Sequence, residues 1–294
     1  GATVTERGDT MAEIVGGGGC SHVPAVGVAI DKGRKAEPYW EAYFAKTGPL
    51  QDFVREVDPD VAVVVYNDHA TAFSLRVIPT FAIGVADEFP IADEGFGPRP
   101  VPPVPGHAEL AWHLAESLIL DEFDITIVNE MEVDHGLTVP LSLMFAEPAE
   151  WPCPVVPICV NVVQYPPPTG RRCLALGRAI RTAIANFPSS ERILMVGTGG
   201  LSHQLQGERA GLINAEWDHR FLDLLVRDPE AAAAIPHTEY LREAGSEGIE
   251  MVMWLVMRGA LDPEVHEVYR ATHVPTSNTH NGLLALAQGG GGGA

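Results

Sequence analysis

The stretch Val61-Ala62-Val63-Val64-Val65-Tyr66-Asn67-Asp68-His69 decides the fold. Its first part is apolar and β-branched, with no polar alternation, and it stops at three polar residues. A run of this kind reads as a strand buried on both faces. The carboxyl end of such a strand is where an open α/β sheet presents chemistry, and His69 stands there. The same order recurs three times in the chain. Residues 14–19 precede Cys20-Ser21-His22, residues 125–128 precede Asp134-His135, and residues 193–196 precede Gly197-Thr198-Gly199-Gly200-Leu201-Ser202-His203. Four strand-then-histidine units imply histidines that converge on one crevice.

Outward from these strands, helical spacing recurs. It appears as two patterns within 37–57, broken around Gly48-Pro49, and again over 107–120, 171–187, 215–227 and 238–243. Residues 246–257 read as a helix that is apolar on nearly every face after its first turn, and therefore buried. Residues 155–163 give a further strand. Alternating strands and helices predict a three-layer α/β/α sandwich around a mixed, mostly parallel central sheet. One catalytic domain is expected over 11–288. Residues 1–10 read as an extension, tag or linker, and 289–294 as a flexible Gly-rich tail. Residues 87–106, rich in Pro, Gly and acids, read as a long ordered loop or lid. The Gly16–Gly19 run lacks the pattern of a phosphate loop, and close backbone approach near His22 explains it better.

The chain has 294 residues, of which 46% are hydrophobic and 20% charged, with a formal net charge of −20. That charge argues against nucleic acid and against an anionic membrane surface as partners. It leaves room for a small anionic substrate at a locally donor-rich site. No apolar run approaches the roughly 20 residues that span a bilayer, and residues 1–20 lack the basic start and apolar core expected of a signal peptide. The four cysteines form no C-x-x-C pair, so reduced thiols in a cytoplasmic protein are expected.

Most of the eleven histidines read as surface or cap residues, among them His107, His113, His219, His237 and His266. His22 and His69 differ, because each follows a buried strand directly. The acids that could join them are Glu243, Glu247 and Glu250. Glu250 is flanked by Ile249, Met251, Val252 and Met253, a setting that is costly for a carboxylate unless it is paired or metal-bound. Two histidines and one carboxylate suit non-haem Fe(II) and also zinc. His135 and His203 could act as ligands, acid–base groups or supports. Asp68 and Asp134 each precede a histidine and could orient one or cap a helix. A Ser-His-Asp hydrolase through Ser202 or Ser21 is conceivable, although neither serine sits in a G-x-S-x-G elbow. The polar cluster at 276–279 is either a turn or a cap, or a holder of a substrate carboxylate.

Several motifs together resemble a family. They are Ser21-His22-Val23-Pro24, Val65 to Ala70, Pro79 to Gly84, Ala92-Asp93-Glu94-Gly95-Phe96-Gly97-Pro98-Arg99-Pro100, Val133-Asp134-His135-Gly136, Gly197 to Gly207, and Gly245-Ser246-Glu247-Gly248-Ile249-Glu250. The sequence resembles the catalytic β subunits of class III (LigB-type) extradiol ring-cleaving dioxygenases, of the protocatechuate 4,5-dioxygenase kind, from about Met11 to Asn278. The resemblance implies Fe(II) on His22, His69 and Glu250, with His203 as acid–base and His135 as a second histidine beside substrate and oxygen. It implies that Ser277 and Asn278 contact the ring carboxylate, and that Asn67 and Asp68 orient His69. It implies cleavage of protocatechuate at the 4,5 bond with O2, giving 4-carboxy-2-hydroxymuconate 6-semialdehyde. Gallate or 3-O-methylgallate is the alternative substrate, and a zinc hydrolase or a metal-free binding relative stands further off. A small helical α subunit in an α2β2 heterotetramer is the implied partner. The segment 278–288 departs from the family pattern.

Overall fold

A computed structural model describes residues 10–289, so the expectations for the N-terminal extension and the Gly-rich tail fall almost wholly outside the described residues. The strands are β1 (Glu13–Cys20), β2 (Val61–Tyr66), β3 (Phe81–Gly84), β4 (Glu88–Phe89), β5 (Val104–Pro105), β6 (Thr126–Val128), β7 (Val155–Val160), β8 (Arg192–Thr198), β9 (Val265–Thr276) and β10 (Thr279–Gln288). The helices are α1 (Pro24–Asp31), α2 (Pro38–Phe44), α3 (Gly48–Val57), α4 (Ala108–Leu120), α5 (His135–Met144), α6 (Gly170–Ala185), α7 (Ala215–Arg227), α8 (Pro229–Ala233), α9 (His237–Glu239) and α10 (Val252–Gly259). A π-helical turn, Tyr240–Ala244, extends α9, and a 3-10 turn, Gly248–Met251, leads into α10.

Eight strands form one sheet in the order β6-β3-β7-β2-β8-β1-β10-β9. Its centre is parallel: β2 pairs with β7 and β8, and β8 pairs with β1. The β3–β7, β1–β10 and β9–β10 pairs are antiparallel. β2 is wholly buried, and its side chains divide by parity between two cores. Val61, Val63 and Val65 join α4, α6, α7 and α10 on one face. Ala62, Val64 and Tyr66 join α1, α2, α3 and α5 on the other. The sheet is thus the middle layer of a three-layer sandwich, as the unalternating run implies.

The glycine run has a different cause from the one the sequence suggests. A Cβ on Gly19 would lie 2.4 Å from the Trp254 ring, one on Gly18 2.3 Å from Met144, and one on Gly17 2.6 Å from Leu261. Bare backbone in β1 lets α5 and α10 close onto both faces of the sheet. β6 also departs from expectation, being a short, partly exposed edge strand. His135 therefore reaches the crevice on the first turn of α5 rather than from a strand end. Residues 265–288 form an antiparallel hairpin, and His266, expected in a helical pattern, lies on β9.

Candidate metal centre

β2, β8 and β1 are adjacent parallel strands, so the residues just beyond their carboxyl ends meet. His22, His69 and His203 arrive this way, and α5 and the 3-10 turn deliver His135 and Glu250. All five line a cavity of about 460 Å³, together with Asn67, Gly200, Glu247, Ser277 and Thr279 among others. The His69 and His135 rings lie 4.0 Å apart, and the His22 ring is 5.1 Å from His69.

In all four histidines Nδ1 is held by an oxygen. His22 Nδ1 lies 3.1 Å from the Thr198 hydroxyl, whose proton goes to the Val65 carbonyl at 2.9 Å. His69 Nδ1 faces Asp134 at 3.2 Å, and His135 Nδ1 faces Glu94 at 2.5 Å. His203 Nδ1 donates to the Leu201 carbonyl at 2.7 Å. An imidazole whose Nδ1–H is so engaged keeps Nε2 for other work. His22 Nε2 lies 3.1 Å from Glu250 Oε2, and His203 Nε2 3.3 Å from Glu250 Oε1. Yet His22 Nε2 is buried and makes no hydrogen bond of acceptable geometry. With its proton on Nδ1, this nitrogen turns a lone pair toward a carboxylate oxygen.

The charges agree with that arrangement. Burial holds His22 below its usual pKa, against the opposing pull of Glu250. Burial would raise the Glu250 carboxyl, but His22 and His203 beside it hold it well below the ordinary carboxylate range. His22 is neutral beside an ionised Glu250, whose Oε2 also accepts from the Gly200 N–H at 2.8 Å. For His69 burial works downward too, yet the Asp134 hydrogen bond and charge raise it overall. His203 is likewise raised, because Glu250 outweighs burial. A neutral imidazole, a second imidazole oriented by a carboxylate, and an anionic carboxylate form a donor set that fits a divalent cation.

His69, Asp134 and His135 also bring ligand-type atoms within 4.8 Å of one another. The Asp134 oxygens are already in use, however. Oδ1 caps α5 through the Gly136 N–H, and Oδ2 accepts from the His69 N–H and His69 Nδ1. Asp68, expected to orient His69, spends its carboxylate on the N–H groups of Thr71, Ala72 and Phe73 and on the Thr71 hydroxyl. Asp134 takes that place at the His69 ring. The Asn67 amide nitrogen lies 3.2 Å from His69 Nε2. Ser277 and Asn278 form the left-handed turn of the β9–β10 hairpin; Ser277 lines the cavity, whereas Asn278 is exposed and does not.

The sequence pattern assigns no role to Glu94, Asp218 or His280. Asp218 is fully buried. It accepts from the Ser202 N–H, from the Ser202 hydroxyl at 2.6 Å, and from His280 Nδ1 at 2.5 Å. The carboxylate thus lies between serine and histidine, and the Ser202 oxygen accepts from the Asn214 N–H. A hydrolytic triad needs the imidazole on the serine, so this set is a clasp behind the His203 loop and not a nucleophile.

The family model described as "Catalytic LigB subunit of aromatic ring-opening dioxygenase" matches residues 17–281. The chain belongs to this family. It is 44% identical over 186 residues to a gallate dioxygenase of Pseudomonas putida KT2440, a match covering 63% of this chain and 55% of that enzyme. The chain therefore spans little more than half the length of that relative. It is 30% identical over 257 residues to a 2,3-dihydroxyphenylpropionate/2,3-dihydroxicinnamic acid 1,2-dioxygenase of Mycolicibacterium vanbaalenii, covering 72% of this chain and 78% of that one. An uncharacterized protein of Escherichia coli K12 shares the fold, with a TM-score of 0.57 and 16% identity over 94% of this chain and all of that one.

Proposed function

We propose that this chain opens the ring of catechol acids beside the diol, using O2 at an Fe(II) held by His22, His69 and Glu250. The observation that carries the reading is the unshared lone pair of His22 Nε2, aimed at an anionic Glu250 in a buried crevice. When bound there, Fe(II) would supply a point at which a catecholate and O2 are held together and exchange charge. The chain's own groups do the rest. His203, with Nδ1 committed to Leu201 and Nε2 3.3 Å from Glu250 Oε1, would use Nε2 to exchange a proton with a ring hydroxyl. His135 borders the same space and presents its free nitrogen to substrate and oxygen. Among the described residues the cavity lining holds no lysine or arginine, so a ring carboxylate would rest on the hydroxyls of Ser277 and Thr279 and on nearby N–H groups.

Gallate is the favoured substrate, on the similarity to a gallate dioxygenase. Protocatechuate, opened at its 4,5 bond, is the second reading, and the motifs around the five site residues support it. A small helical α subunit is the proposed partner. Val163 and Leu205 at the cavity and Tyr165 and Leu241 at the adjoining groove are exposed and apolar, and would be covered by it. The test is oxygen uptake by the anaerobically Fe(II)-loaded protein on gallate, protocatechuate and 3-O-methylgallate, with and without such a subunit. Uptake should be fastest on gallate and should yield a ring-opened product. No uptake on any of the three, in either condition, would end the proposal.

A further inference from the structure

Glu94 sits in the loop that the sequence marks only as rich in Pro, Gly and acids. Asp93 shapes that loop by accepting from the N–H groups of Gly95 and Gly97, at 2.8 and 2.9 Å. Arg99 ties it down with two bonds to Asp31, at 2.9 and 2.8 Å. Val133 pairs with the backbone of Pro90 and Ala92, so the loop runs beside the segment that leads into His135. The result places the Glu94 carboxylate behind the His135 ring, outside the cavity lining. Oε1 lies 2.5 Å from His135 Nδ1, and Oε2 accepts from the His135 backbone N–H at 3.1 Å.

We propose that Glu94 is a positioning residue: it fixes the tautomer and orientation of His135, so that a lone pair on Nε2 faces the cavity. An ionised carboxylate only accepts hydrogen bonds, so both groups that it meets must donate. One is the His135 backbone N–H, which always donates. The other is Nδ1, which must therefore carry the ring proton. Asp134 meets His69 Nδ1 in the same way, and the centroids of the two rings lie 4.0 Å apart. The crevice thus holds two neighbouring imidazoles, each backed by its own carboxylate.

The two conservative replacements separate this role from simple loop packing. Glu94→Gln keeps the size but offers one acceptor where two donors must be met. With its oxygen on the backbone N–H, its NH2 faces Nδ1 and forces the ring proton onto Nε2. Glu94→Asp is a methylene shorter but keeps two acceptors. A tautomer role makes Gln the worse substitution, whereas a packing role makes Asp the worse.

The inference rests on the ring-opening reading wherever turnover is the readout, so a second readout is independent of it. We expect Glu94→Gln to lower kcat about 100-fold or more with KM within about threefold, and Glu94→Asp to stay within about tenfold of the parent. Both should load Fe(II) as the parent does. In iron-free protein carrying 15N-histidine, with His135 assigned by the loss of its signals in His135→Gln, the parent should show the proton on Nδ1 and Glu94→Gln should show it on Nε2. A parent inert on every catechol acid, with that tautomer switch intact, would sink the ring-opening reading and leave the positioning role standing. An unchanged His135 tautomer in Glu94→Gln, or lower kcat in Glu94→Asp than in Glu94→Gln, would overturn the positioning role.

Discussion

The hydroxyl of Thr198 has one proton, and that proton goes to the Val65 carbonyl. Toward His22 Nδ1 the same oxygen can only accept, so Nδ1 carries the ring proton and Nε2 the lone pair that a cation needs. Thr198→Val keeps the branched shape and removes the acceptor. The ring then has no preferred tautomer, and Fe(II) affinity should fall about 10–100-fold, the usual effect of losing a partner behind a ligating histidine. Anaerobic Fe(II) titration against a competing chelator measures this, and an unchanged affinity would show that Thr198 does not set the ring. His22, His69 and Glu250 were legible in the sequence because each abuts an apolar run in which its polarity is out of place. Thr198 was not, because its partners lie 133 and 176 residues away. Glu94 reaches His135 across 41 residues and was missed for the same reason. Asp134 was legible as the neighbour of a histidine, but the ring it supports is the more distant His69, since its helix-capping geometry turns it away from His135.

β1 is where the elements bear most directly on the site, because it leads into His22 and lies between β8 and β10. Its glycines let α10 approach so closely that the Trp254 ring occupies the place of a side chain on Gly19. Trp254 also donates to the Gly199 carbonyl at 3.2 Å, so the contact steadies the turn beside Glu250 as well. Gly19→Ala forces atoms into filled space and should cost about 1–3 kcal/mol of unfolding free energy. Gly48→Ala, where a Cβ meets nothing within 4 Å, should stay within about 0.5 kcal/mol of the parent. Urea unfolding of the two variants decides the matter, and equal midpoints would refute a packing role for the run. Strands β2 and β8 and helices α4, α6 and α7 could be read from the sequence, because their apolar periods are long and regular. The β9–β10 hairpin could not. β9 mixes His266, Glu267 and Arg270 into an edge strand, and the apolar run of β10 fits a strand or a helix equally well. Only pairing with β1 and β9 makes it a strand, and pairing is invisible to local pattern.

At the scale of the whole molecule, the sequence sets a charge of −20, and the fold decides what that charge meets. The parallel strands gather the donor groups at one end of the sheet, but among the described residues the cavity there is lined by Glu247 and Glu250 and by no lysine or arginine. If the substrate is a catechol acid, as proposed, it is itself an anion, and its approach runs against the protein's field until it reaches the hydroxyl and N–H donors inside. This opposition was legible from composition alone, whereas the absence of a local basic steering group required the structure. Salt shortens the range of the repulsion, from a Debye length of about 30 Å at 0.01 M to about 8 Å at 0.15 M. For a carboxylated catechol, kcat/KM should therefore rise by a few-fold over that interval, mostly through a lower KM. A neutral catechol of similar size should show no such trend. Steady-state oxygen uptake at several salt concentrations, with viscosity held constant, measures both. A kcat/KM for the acid that falls with salt would mean that a cationic group outside the described lining steers the substrate, and the repulsion argument would then fail.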